Sequence, residues 1–221
     1  MRLLIHSLGG SAWNMAVDEA LLRECREPVL RFYGWCEPAV SIGYFQCCSV
    51  VPKGRVFVRR YTGGGLVDHG ADVTYSIVTP RGHEFYQMGA ARSYEAAHRV
   101  IAEGLKDCGA RVELAKEKVV GAGDACFQKP VKFDVMLNGR KVAGAAQRRT
   151  REGCLHQGSI LLDALESRLL NLEKIVEALA PRLCVFLGSK MEESVLTFAE
   201  EKRAAQLERE RYGTLKWNEA R

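Results

Sequence analysis

Cys126 and Lys141 are the two side chains whose types and setting in this sequence suggest covalent chemistry. The cysteine lies just upstream of a segment that reads as a β-hairpin, Phe133 to Ala146. The lysine stands near the start of the hairpin's second strand, ahead of Val142-Ala143-Gly144-Ala145-Ala146. A free thiol ionises near ~8.5, and a neighbouring cation that lowers this by one or two units makes the thiolate the main species at pH 7. Each unit corresponds to about 1.4 kcal/mol of thiolate stabilisation. A strand with so little side-chain bulk lets a ligand or another backbone approach closely. A thiolate beside such a groove can carry an acyl chain. The pair therefore points to acyl transfer, with Cys126 as nucleophile and Lys141 as its activator, since no clean Cys–His signature competes for that role.

The hairpin sets the expected geometry. Asn138-Gly139 suits a two-residue type I′ turn, in which both positions need positive φ. That turn places Met136 opposite Lys141 and Asp134 opposite Ala143. Side chains alternate along a strand, so Asp134, Met136, Lys141, Ala143 and Ala145 are expected on one face. Asp134 is then one candidate anion for the lysine; the Cys126 thiolate and a ligand carboxylate or phosphate are others.

A second constellation is Arg59-Arg60-Tyr61-Thr62-Gly63-Gly64-Gly65, followed by His69. Three successive glycines give backbone freedom and no bulk. The turn lies between two predicted strands, whereas a P-loop or Rossmann fingerprint needs a strand-to-helix setting. The flanking Arg59, Arg60 and His69 mark it as a ligand site, with backbone N–H groups available to a carbonyl or phosphate.

The elements that must position these residues follow in chain order. Ser11 and Asn14 offer N-caps for an amphipathic helix over 15–22. Strands are expected at 29–33, 39–44, 56–60 and 73–78. A helix runs from Ser93 through Cys108 and stops at Gly109. Residues 111–114 return to strand, and a polar, glycine-bearing loop delivers Cys126. Gly158–Leu162 forms another strand. From Asp163 two helices dominate, broken near Pro181 and Gly188, the last from about Glu192 to Arg211. Strands early and helices late, without βαβ regularity, indicate an α+β domain.

The chain has 221 residues, 47% hydrophobic and 27% charged, within the globular range. No apolar run reaches the length of a bilayer span, and the N-terminus lacks a signal peptide's apolar core. A cytoplasmic protein is expected, partnered by neither membrane nor nucleic acid. Its eight cysteines are scattered without a CxxC pair, which suits reduced, buried side chains rather than disulfides. No ligand spacing suggests a metal site. A net charge of +5 permits an acidic partner or a nucleotide and requires neither. Arg148-Arg149-Thr150-Arg151 reads as a solvated basic loop.

These segments resemble the biotin/lipoate protein ligase and octanoyltransferase superfamily. Arg59–His69 looks like its signature RRxTGGGxVxH, Asn14–Leu22 like its first helix, and Ser41–Gln46 and Gly139–Gln147 match two further segments. The resemblance covers roughly residues 10 to 165 and implies one mixed-sheet α+β catalytic domain over 1–221, with helices packed on the sheet and without a separate C-terminal accessory domain. Cys126-Phe127 ahead of the hairpin is similar to the octanoyltransferases of the Gram-positive type; the Pro-Cys-Gly motif of the other type is absent. The resemblance implies transfer of an octanoyl group from acyl carrier protein, through a thioester on Cys126, to a lysine of a lipoyl-type domain such as glycine cleavage H protein, without a cofactor. It makes Arg60, Gly63, Gly64, Gly65, His69, Gly144 and Ala145 the substrate-binding set. The alternative is an ATP-dependent lipoate ligase, using ATP and Mg, in which Lys141 and the glycine turn hold an adenylate. A non-catalytic binding protein of the same fold is the third class. Two departures stand out. Gly144-Ala145-Ala146-Gln147 replaces the frequent Gly-Ser-Ala-Gln. Gln157 also stands where the family often has histidine before Gly-Ser, and His156 lies one position earlier, a shift that changes strand face.

Overall fold

The structure, a computed structural model, describes residues 1–116, 130–165 and 171–221; Cys126 and most of the loop expected to deliver it lie outside the described residues. The order of elements is β1 (Arg2–Gly9), α1 (Ser11–Arg23), β2 (Val29–Trp35), β3 (Ala39–Ile42), β4 (Val56–Arg59), β5 (Val67–His69), β6 (Asp72–Pro80), α2 (Glu84–Gln87), α3 (Gly89–Asp107), β7 (Glu113–Leu114), β8 (Val135–Leu137), β9 (Arg140–Arg149), β10 (Gly153–Leu161), α4 (Leu172–Phe186), β11 (Glu192–Glu193), α5 (Phe198–Leu207) and α6 (Leu215–Asn218). A π-helical turn, Glu208–Tyr212, continues α5.

Among the described residues, eight strands form a mixed sheet in the order β11-β1-β2-β6-β10-β9-β8-β7, and β4-β3-β5 form a smaller three-stranded sheet. Strands β2, β6, β10 and β9 are antiparallel neighbours, while β1 pairs parallel to β2. Helices α3 and α4 cover one face of the large sheet. Ile101 and Leu105 of α3 and Ile175, Leu179 and Leu183 of α4 pack with Phe32, Tyr75 and Ile77 of the strands. Helix α1 lies on the other face and packs against α5, so it is buried on most of its circumference, including Asp18 and Glu19. A helix enclosed in this way shows little amphipathic contrast.

Several local expectations are corrected here. The final helix does not start at Glu192: Glu192 and Glu193 pair with the edge of β1, and α5 begins after Thr197, whose side chain forms a capping box with Glu200. Helix α4 continues through Pro181 instead of breaking there. The cysteines are not generally buried. Of the described ones, Cys154 and Cys184 are buried, Cys36 and Cys47 are exposed, and the others are intermediate, all as free thiols. Among the described residues no helix is long and apolar enough to cross a membrane.

Candidate acyl-binding pocket and the Lys141 centre

A small, partly open pocket with a cavity volume of about 30 Å³ lies between the two sheets. Its walls come from Met15 of α1, Tyr33 and Trp35 of β2, Arg60, His69, and the β9 stretch Gly144, Ala145 and Ala146. Four members of the predicted binding set, Arg60, His69, Gly144 and Ala145, thus meet at one cavity. The glycines of the turn stand beside it. Arg60 donates to the carbonyls of Gly63 (3.1 Å) and Gly65 (2.6 Å), so those carbonyls face the guanidinium. Arg59, expected beside the ligand, turns elsewhere. It donates to the carbonyls of Gln46 (2.6 Å) and Asn218 (2.8 Å), tying the C-terminal segment to β4.

The polar groups lining the pocket are satisfied by one another. Asp72 accepts from Ser159 (2.6 Å), Thr74 (2.9 Å) and His69 (2.9 Å) on one oxygen. Burial opposes ionisation of Asp72, but His69 and the two hydroxyls outweigh it and hold its carboxyl below the usual range. The other ring nitrogen of His69 meets Ser41 Oγ at 2.6 Å, and Arg60 donates to the same oxygen. Trp35 stacks on His69 with ring centroids 3.8 Å apart and donates to Thr74. Side chains so engaged leave an almost wholly apolar lining.

Beneath the pocket lies a buried network that the sequence did not disclose. Asp18 accepts from Arg31 (2.7 Å), Tyr33 (2.8 Å), Ser76 (2.9 Å) and Gln157 (2.6 Å). Gln157 in turn accepts from Thr62 at 2.7 Å, linking α1 to the glycine turn. Gln157 therefore occupies the pocket face. His156 faces the opposite side, among Tyr75, Phe85, Tyr94 and His98.

The Lys141 centre revises the hairpin geometry. Asn138 (φ 50°) and Gly139 (φ 76°) both take the positive φ expected of the turn, and Met136 pairs with Lys141. One step further the register shifts: Val135, not Asp134, pairs with Ala143. Val142 is the extra residue of a β-bulge, and the bulge reverses the alternation beyond it. Ala143 and Ala145 consequently leave the face of Lys141, and Gly144 joins it. A Cβ built on Gly144 would overlap Cε and Nζ of Lys141, so only glycine leaves room for the amine. Lys141 Nζ lies 2.8 Å from Asp134 Oδ2, with both side chains buried.

On the other face, burial pushes the His98 imidazole down to about 4 and holds His156 well below its ordinary value, with the neighbouring His98 adding to the effect on His156. His98 Nδ1 donates to the Phe133 carbonyl at 2.7 Å, and among the described residues its Nε2 has no hydrogen-bond partner. In the unfolded chain each imidazole takes up a proton near ~6.5. Between that pH and about 4 the unfolded state holds more protons than the folded one, so stability falls as pH drops. From pH 6.5 to 5 the loss is about 1.6 kcal/mol for His98. Urea unfolding at the two pH values measures it. The His98→Gln variant should show a flatter dependence, and an unchanged slope would contradict this assignment.

Residues 11–195 match the lipoyl protein ligase A/B catalytic domain. The chain is 33% identical to octanoyltransferase LipM of Halalkalibacterium halodurans, across 94% of this chain and 94% of that protein. Among solved structures, protein Ta0514 of T. acidophilum with bound lipoic acid superposes with a TM-score of 0.81 at 24% identity, covering 99% of this chain and 98% of that one. Lipoate-protein ligase A bound with ATP does so equally, at 0.81 and 24% over 99% and 98%. The structural likeness carries the fold, and the sequence match carries the kinship: this chain belongs to the lipoyl protein ligase A/B catalytic domain family.

Proposed function

We propose that this protein is an octanoyltransferase of protein lipoylation, taking the octanoyl group from acyl carrier protein onto Cys126 and passing it to a lysine of a lipoyl-type domain. The observation that carries the reading is the 33% identity to an octanoyltransferase across 94% of both chains. The buried Lys141 ammonium and the adjoining apolar pocket support it.

In the first step the Cys126 thiolate attacks the thioester carbonyl of the donor. A new C–S bond forms, the old one breaks, and the carrier thiolate departs and takes up a proton. One thioester replaces another, so the reaction is nearly thermoneutral and the protein's task is orientation. The octanoyl tail lies in the pocket along Gly144 and Ala145, with Arg60 and His69 in the opposing wall and the Gly63–Gly65 turn above. Lys141 and the turn's amides favour negative charge on the carbonyl oxygen. In the second step the neutral amine of the acceptor lysine attacks the acyl-enzyme, an amide forms, and the Cys126 thiolate leaves. The amine's proton passes to a base. Neither step requires ATP, a metal or a cofactor, and both run in the cytoplasm, where the two partner proteins meet.

The test supplies octanoyl-carrier protein and a lipoyl-domain acceptor without ATP. Octanoylated acceptor is the expected product. Modification only with free octanoate or lipoate plus ATP would replace this reading by the ligase one.

A further inference from the structure

We propose that Asp134, itself held by Tyr94, is a positioning residue for octanoyl transfer: it seats the Lys141 ammonium over Gly144, on the wall of the acyl pocket. The inference rests on the octanoyltransferase reading and names a residue through which Lys141 acts.

Three donors converge on the Asp134 carboxylate. Oδ2 lies 2.8 Å from Lys141 Nζ and accepts from the Val131 amide at 2.7 Å. Oδ1 accepts from the Tyr94 hydroxyl at 2.6 Å. Tyr94 projects from α3, and its oxygen also accepts from the Ala145 amide at 3.3 Å, so one hydroxyl ties the carboxylate to the strand that forms the pocket wall. Burial, reinforced by the charge of Asp134, drives the Tyr94 hydroxyl far above its ordinary range and keeps it a donor. Other titratable groups near the centre are His98 of α3, whose ring lies 4.1 Å from that of Tyr94, His156 of β10, at 5.8 Å from the same ring, and Tyr75 of β6, whose hydroxyl burial and the Asp134 charge hold well above its ordinary range. Burial keeps all three neutral, so they do not compete with Lys141 for the carboxylate.

The backbone is also shaped for this contact. Phe133 takes φ 73°, a left-handed conformation that a bulky residue adopts only under strain. Its amide donates to the Ala115 carbonyl at 2.8 Å, and its own carbonyl receives His98. The kink aims Asp134 inward toward the amine. The bulge at Val142 and the missing side chain of Gly144 bring Lys141 to meet it. A buried cation deprived of its anion is expelled or neutralised, which removes its charge from the site.

The experiment compares Asp134→Asn, Asp134→Glu and Tyr94→Phe with the wild type. Expected for Asp134→Asn is a kcat about 100-fold lower with the donor KM within about threefold, the split of an interaction made in the transition state. Tyr94→Phe should lose about tenfold, and Asp134→Glu should recover about tenfold over the asparagine variant. The pH dependence of iodoacetamide alkylation, read at the Cys126 peptide, should move up by at least about one unit in Asp134→Asn, as in Lys141→Ala. A purely architectural carboxylate would leave that profile in place. A kcat within threefold of wild type, or a lower kcat with an unmoved alkylation profile, would overturn the proposal. Where Asp134→Asn does not fold, Tyr94→Phe decides: unchanged kcat and profile there overturn it equally. If the wild type transfers no octanoyl group, the functional reading fails, while the alkylation profiles still decide whether Asp134 holds Lys141.

Discussion

Replacing Lys141 by alanine will slow octanoyl transfer roughly 10³-fold, and replacing Cys126 by alanine will remove it. The two losses have different causes. Cys126→Ala deletes the atom proposed to bond to the acyl group. Lys141→Ala leaves the thiol but removes a buried cation whose side chain is 1% exposed. In such a setting a charge is screened far less than at the surface. Gly144→Ala is the informative companion, because it keeps both groups. Its methyl would occupy the place of Lys141 Cε and Nζ and come within 3.1 Å of Asp134 Oδ1. The amine must move, and a displacement of about 1 Å can cost roughly 10²-fold in rate. Single-turnover transfer from octanoyl-carrier protein measures all three. A Lys141→Ala enzyme within tenfold of wild type would contradict the role given to the amine.

The second large effect is on stability. Asp18→Ala should destabilise the fold by about 3–5 kcal/mol, because it strands a buried guanidinium. Arg31 is fully buried, and its charge is matched by Asp18 at 2.7 Å. Tyr33, Ser76 and Gln157 lose their acceptor in the same change. For a chain of this size the loss corresponds to a fall in Tm of roughly 10 °C. Thr62 and the glycine turn loosen through Gln157, so transfer should weaken as well. Urea unfolding gives the energy directly, and a loss under about 1 kcal/mol would show that Arg31 has another effective partner.

Much of this was legible in the sequence, for physical reasons that differ by element. Asn138-Gly139 fixed the hairpin because few other pairs accept two positive φ values. Alternation in residues 73–78 and the helical spacing of Ala97, Ile101 and Leu105 marked β6 and α3. The shift of His156 by one position correctly implied a change of face, since strand periodicity is strict. What failed depended on tertiary structure. A bulge leaves no mark in composition, so the faces of Ala143, Gly144 and Ala145 were exchanged. Residues 15–22 read as an amphipathic helix, and the burial of Asp18 within it went unread because it depends on Arg31 and Gln157, which lie far away in the chain. Arg59 read as a ligand contact, yet its partners are carbonyls of Gly43, Tyr44 and Gln46 and of the C-terminal segment. Glu192 and Glu193 read as helix, but an open edge of β1 captured them as strand.

We propose that Cys126 carries the acyl group between two proteins. Intact-protein mass spectrometry after exposure to octanoyl-carrier protein, without ATP, decides this. One octanoyl adduct is expected, released by hydroxylamine, absent from Cys126→Ala, and discharged when a lipoyl-domain acceptor is added. An enzyme that stays unmodified, or that is modified equally after Cys126→Ala, would contradict it.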